Sequence, residues 1–165
     1  MDVIEPNPTR RFVAVVMERL LLPDNRWLAE QWSARSVEPD TAPADAAGRT
    51  IASDETCTRI LYSGLPIRLV RDEAEGYLLN VTSPAPKVFV LWRMHDNVAR
   101  PERVTVSYHE GARWMDSDEK VDGVPLPDEL ARWIHDFATL HYQPEPKKPK
   151  RYASNKDKGR MGRHE

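Results

Sequence analysis

Residues Arg71–Met94 read RDEAEGYLLNVTSPAPKVFVLWRM, and the reading of this stretch decides the fold. A charged turn, Asp72–Gly76, leads into the apolar run Tyr77–Thr82. Ser83-Pro84-Ala85-Pro86 then turns the chain, because proline fixes φ and removes a ladder donor. Lys87–Met94 (KVFVLWRM) follows, rich in the β-branched and aromatic residues that suit a pleated, half-buried surface. Two strands joined by a proline-bracketed turn are predicted, and with them a body built mainly of sheet.

Upstream, Arg11–Leu22 (RFVAVVMERLLL) has no glycine and three valines, as a long strand buried on both faces over much of its length requires. Pro23-Asp24-Asn25 is a turn cluster. Arg26–Val37 completes a predicted hairpin, with a helix over Trp27–Ala34 as the alternative. Glu38–Asp54 contains Pro39, Pro43 and Gly48, shows no periodicity and reads as a surface loop. Thr58–Tyr62 is a short strand, Ser63–Pro66 a turn, and Ile67–Arg71 a half-exposed strand.

Downstream, His95–Glu102 reads as a polar loop and Arg103–Ser107 as the last strand. Ser107-Tyr108-His109-Glu110 has the serine and glutamate of a capping box, which predicts a short helix through Trp114 and Met115. Asp122-Gly123 marks a turn. Pro127 sits where a first helical residue belongs, with Asp128 and Glu129 in the positive first turn. Leu130, Trp133, Ile134, Phe137 and Leu140 then recur at helical spacing. The expected fold class is α+β: an antiparallel sheet, meander or half-barrel, closed by a C-terminal amphipathic helix. A flexible lead over residues 1–10, one domain over 11–143 and a disordered basic tail over 144–165 complete the expectation.

Composition sets the bounds. A chain of 165 residues, 40% hydrophobic and 30% charged, is long enough for one domain with a core. Its single cysteine, Cys57, excludes an internal disulfide scaffold. No apolar run approaches the roughly 20 residues that cross a bilayer. The start, MDVIEPNPTRR, lacks the basic opening and apolar core of a signal peptide, so the cytoplasm is the expected compartment. Asn80-Val81-Thr82 fits a glycosylation sequon, but a strand segment is the favoured reading. The net charge of -2 hides a split. Pro144–Glu165 carries eight Lys/Arg and three Asp/Glu, whereas Met1–Gln143 carries 16 basic and 23 acidic residues.

Several residue types invite chemistry. His109-Glu110 lacks a second histidine four residues on, where position 113 is arginine, so a capping glutamate beside a surface histidine is the expectation. His135 and His141 lie six residues apart, on different helix faces. Cys57 is either a reactive thiol or, as free cysteines usually are, a small buried residue. Asp72, Glu73 and Glu75 make an acidic turn that either holds a cation or is simply solvated. No metal or cofactor site is expected. Trp27 and Trp32 are an odd number of residues apart, so in one strand they face opposite sides, and one is a candidate partner anchor. Lys147, Lys148, Lys150 and Arg151, in PEPKKPKR, are the candidate binding element of the tail. No helix with basic residues suited to a DNA groove is visible, and nucleic acid is not the favoured partner.

The stretch Arg71–Met94, together with VTVSYHEGARWMD, VDGVPLPDELARWI and HYQPEPKKPKR, resembles a bacterial family of unknown function. Its genes lie beside those of molybdenum-dependent formate dehydrogenase, and its members are often labelled molybdopterin-guanine dinucleotide biosynthesis protein A. The resemblance covers roughly Phe12–Arg151 and implies a formate dehydrogenase, or its maturation proteins, as partner. A nucleotidyl transferase would open with a strand, a glycine-rich loop and a helix, where backbone N–H groups cradle phosphates. This chain has no glycine in its first 47 residues. Gly159-Arg160-Met161-Gly162 has no strand before it. The expected role is therefore a non-enzymatic accessory protein acting in assembly, cofactor delivery or regulation. A cofactor-biosynthesis enzyme and a polyanion-binding adaptor working through the tail are the alternatives.

Overall fold

The computed structural model describes residues 9–24, 29–40, 42–45 and 47–144. Trp27, Lys147, Lys148, Lys150 and Arg151 lie outside these residues, as do the lead before Thr9 and the tail beyond Pro144.

The fold is α+β, and its antiparallel strands divide into two open sheets. The first has four strands: β1 (Arg10–Leu21), β2 (Glu30–Pro39), β3 (Arg49–Ser53) and β4 (Cys57–Arg68), in the order β2-β1-β4-β3. The second has three: β5 (Lys87–His95), β6 (Val98–Thr105) and β7 (Lys120–Pro125), in the order β6-β5-β7. Three α-helices join them: α1 (Ala74–Val81), α2 (Tyr108–Asp116) and α3 (Asp128–His141).

One apolar cluster fills the space between the elements. Val13, Val15 and Met17 of β1 meet Val88, Val90 and Trp92 of β5, and Leu130, Ile134 and Ala138 of α3. The period of two on each strand, and of four on the helix, selects these residues. The expected hairpin forms, with β1 paired to β2 from Val13↔Pro39 to Leu21↔Glu30, so the helical alternative gives way to strand from Glu30.

The run Tyr77–Thr82 is not a strand. It lies in α1, where Ala74, Tyr77 and Asn80 are buried at three-residue spacing. Gly76 is helical for a packing reason: a Cβ there would stand 2.2 Å from the Ser107 hydroxyl, so only glycine lets α1 approach the start of α2. The supposed acidic turn is a short 3-10 turn, Arg71–Glu73, running into that helix. The Tyr77 hydroxyl accepts from the Val70 N–H at 2.9 Å and ties α1 to the end of β4. Burial pushes its pKa up to about 12, so the proton stays on. Asn80 is 1% exposed and bonded through both side-chain atoms, which removes the sequon reading.

Other expectations shift for local reasons. The turn expected at Ser63–Pro66 is a bulge inside one continuous β4. Gly64, at φ 76, supplies the left-handed step, and a Cβ there would meet the Ala44 backbone at 2.4 Å. The loop expected over Glu38–Asp54 contains the exposed edge strand β3. The loop expected over His95–Glu102 shrinks to Asp96 and Asn97, both at positive φ, as a two-residue hairpin turn demands. β6 therefore begins at Val98, and the strand expected at Arg103–Ser107 is its end. Asp122-Gly123 is not a turn but the middle of β7.

Both C-terminal helices form. Ser107 caps α2, its Oγ accepting from the Glu110 N–H at 3.1 Å. The return half of the box is absent, because the Ser107 N–H donates to Thr105 Oγ1 instead. Pro127 is the N-cap of α3 and not its first residue. Leu140 leaves the apolar stripe and is 76% exposed. No helix among the described residues is long and apolar enough to cross a membrane.

Candidate functional site

The two sheets meet along a seam at β2 and β7, and one carboxylate closes it. Asp122 Oδ2 accepts from the Trp92 indole Nε1 at 2.8 Å and from the Ala34 backbone N–H at 2.8 Å. β7 places this carboxylate because its register sets Asp122 opposite Val90 and Lys120 opposite Trp92. An edge amide of β2 that would otherwise want water is thereby satisfied from the other sheet.

A cleft of about 570 Å³ opens at this seam, lined by Trp32, Trp92 and Met94 on its apolar side and by Glu30, Glu119, Lys120 and Asp122 on its polar side. Trp32 is half-buried, while Trp92 is 6% exposed and packs into the core. The Trp32 Nε1 donates to Glu30 at 3.2 Å, and the Arg19 guanidinium lies 5.9 Å from its ring. The Lys120 ammonium lies 5.1 Å from the Trp92 ring. Both indoles are therefore held at the N–H by a carboxylate and attended on the face by a cation. Arg93 closes the rim through a two-pronged pair with Glu119 at 2.6 and 3.2 Å. That pairing, chiefly its hydrogen bond, holds the Glu119 carboxyl below its ordinary value.

The site residues expected from sequence are scattered. Trp32 lines the seam cleft. His135 lies exposed on α3, and the His141 ring lies 4.4 Å from that of Phe137, tilted by 53°. His109 faces Glu75 at 3.7 Å. The three acids near Asp72 separate. Asp72 is exposed, Glu75 pairs with His109, and Glu73 turns to α2. There it accepts from Ser107 Oγ and from Arg113, each at 2.5 Å. Burial alone would raise the Glu73 carboxyl, but Ser107 and Arg113 together outweigh it and hold the group below its ordinary value. Cys57 is half-buried, its Sγ 3.6 Å from Glu18. No group of three His, Cys, Asp or Glu among the described residues is arranged to hold a metal ion.

Asp122 and Lys120 were missed in the sequence, because Asp-Gly reads as a turn and so hides a strand. The signal was there in the β-branched Val121 and Val124, which fall on opposite faces of a strand and pair with Leu91 and Val88.

The fold and the seam define an α+β domain of two antiparallel sheets with a tryptophan-lined cleft between them. The chain belongs to the family described as protein of unknown function DUF3305, which matches residues 12–151. No curated protein and no solved structure matches it.

Proposed function

We propose that this protein is an accessory factor that works by contact, docking on a molybdenum-dependent formate dehydrogenase or on one of its maturation proteins. The partner rests on the family resemblance carried by the stretch around Arg71–Met94 and the motifs that follow it. The mode of action rests on the seam cleft, and the observation that carries it is half-buried Trp32, held in place beside core-packed Trp92. Tryptophan in a partly desolvated, preorganised setting is the residue type that most often anchors protein partners. Here the Trp32 ring is oriented by Glu30 and Arg19 before any partner arrives, so little side-chain entropy is lost on docking. Exposed Met94 adds an adaptable apolar contact at the rim.

The cofactor-biosynthesis reading fits less well. Its phosphate-binding loop belongs to a parallel sheet of alternating strands and helices, and both sheets here are antiparallel.

Affinity purification of the tagged full chain from a host that makes formate dehydrogenase tests the proposal. Formate dehydrogenase subunits or their maturation proteins are expected to co-purify, and Trp32→Ala is expected to lose them while the variant still unfolds in one cooperative transition. A wild-type preparation that captures neither class of protein would overturn it. Retention of the partner by Trp32→Ala would remove the cleft as the docking site.

A further inference from the structure

We propose that the outer face of the four-stranded sheet binds an acidic segment of a partner protein. This surface lies on the side of the sheet away from the core and apart from the seam cleft.

The face follows from register. Arg10, Phe12, Val16 and Glu18 share one side of β1, opposite to core-facing Val13, Val15 and Met17. Across the ladder, Arg68 stands opposite Arg10 and Arg59 opposite Glu18. Leu61 pairs with Val16 and so lies on the same side, and Arg49 pairs with Leu61. The bulge of β2 adds Arg35, whose Nη1 reaches Glu18 at 3.3 Å. Five arginines thus share the face with three acids: Glu18, Glu38 and, just past β2, Asp40, whose N–H donates to the Phe12 carbonyl. The middle of the face is closed, with Ala14, Val16 and Glu18 buried and Asp40 Oδ2 accepting from the Gly64 N–H at 3.3 Å, while Arg10, Arg35, Arg49 and Arg68 are exposed around it.

The charges on this face are only partly compensated. Glu18 is 7% exposed and offers a single oxygen to both Arg35 and Arg59. Arg10, Arg49 and Arg68 make no ion pair among the described residues. Arg10 and Arg68 are direct cross-strand neighbours, an arrangement of like charges that destabilises a ladder. A carboxylate seated between them removes the repulsion and takes the planar fork of each guanidinium. The face is also exceptional within its own molecule, since residues 1–143 carry more acids than bases.

An acidic polypeptide fits better than nucleic acid. Single strands are held by rows of aromatic rings. This face has one exposed ring, Phe12, and the Arg10 guanidinium already lies over it at 5.2 Å. An extended peptide presents a side chain to the same face every second residue, roughly 7 Å apart, a spacing that matches arginines displayed along strands.

Fluorescence anisotropy of the full chain with fluorescein-labelled poly-L-glutamate, and in a parallel arm with labelled oligo-dT, tests this. Poly-L-glutamate is expected to bind at low salt, and R10E/R49E/R68E is expected to weaken it at least about tenfold. The tail variant K147E/K148E/K150E is expected to change it by less than about twofold. Absence of poly-L-glutamate binding would overturn the proposal. So would loss confined to the tail variant, or tighter binding of oligo-dT with the same arginine dependence. Should the triple variant fail to fold, R49E alone, on the exposed edge strand, is expected to weaken binding about threefold. An unchanged affinity there would also overturn it.

Discussion

The central strands of the two sheets, β1 and β5, look alike in sequence and live in different surroundings. On β5, Val88, Val90 and Trp92 face the common core, while Phe89 and Leu91 face the other way and are just as buried. Helix α2 explains this second burial. A Cβ at Gly111 would stand 2.7 Å from the Phe89 ring, and Tyr108 meets that ring edge-on at 6.1 Å. On β1 the core side is equivalent, and on the other side Ala14, Val16 and Glu18 are buried too, while Arg10 and Phe12 at the start of the strand are exposed. A strand covered by two layers uses large apolar residues on both sides. The second side of β1 instead takes the smaller Ala14 and Val16 and the paired carboxylate of Glu18.

The same substitution on the two strands gives the largest contrast. Phe89→Ala removes a ring clasped between β5 and α2 and is expected to cost about 3–5 kcal/mol in urea denaturation. Phe12→Ala removes a ring that is 39% exposed and is expected to cost about 1 kcal/mol or less. Equal losses would mean that the outer side of β1 is covered as fully as that of β5.

The next largest effect lies at Asn80, which fastens α1 to the three-stranded sheet. Its Nδ2 donates to the Lys87 and Val106 carbonyls at 2.7 and 2.9 Å, and its Oδ1 accepts from the Lys87 N–H at 2.9 Å. Asn80→Ala leaves these backbone groups without their partner and is expected to cost about 3 kcal/mol. A loss no larger than that of an exposed helical asparagine would show that water replaces the side chain.

Asp122→Ala acts where the sheets join, and its expected cost is smaller, about 2 kcal/mol, because the cleft admits solvent. The diagnostic reading is hydrogen exchange at the Ala34 amide, which is expected to quicken when its acceptor is gone. Unchanged protection there would separate the carboxylate from the seam.

The antiparallel body, the first hairpin, β5 and the two C-terminal helices were legible from sequence. Their patterns are local: an apolar glycine-free run on β1, a turn cluster before β2, a β-branched run on β5, and a cap or proline before α2 and α3. What was not legible depends on contacts made far along the chain. Tyr77–Thr82 carries apolar residues as readily on a strand as on a helix. Gly76 and Asn80 favour turns by propensity, yet Gly76 is required by Ser107 and Asn80 by Lys87 and Val106. Gly64-Leu65-Pro66 reads as a turn because the bulge that absorbs it is a property of the pairing with β1. The cleft was half legible. Trp32 was singled out for its parity with Trp27, but Asp122 was hidden inside a turn signal. The outer arginines become a face only once register is known.

The smallest effect concerns the link between α1 and α2, and it is a question of pH. Glu73 is buried enough to favour its neutral form, yet Ser107 and Arg113 hold its carboxyl below the ordinary value. A carboxyl depressed in the fold contributes its stability fully above the unfolded-state pKa. That contribution is lost as the pH falls through the folded-state pKa, so the window lies on the acid side of the usual glutamate range. Glu73→Gln is expected to lower stability at neutral pH by about 1 kcal/mol. It is also expected to flatten the acid limb, so that wild type and variant converge as pH falls. If the difference persists undiminished at acid pH, Glu73 acts through packing and hydrogen-bond shape alone. The two helices would then be joined by geometry and not by charge, as β5 and α2 are joined through Phe89 and Gly111.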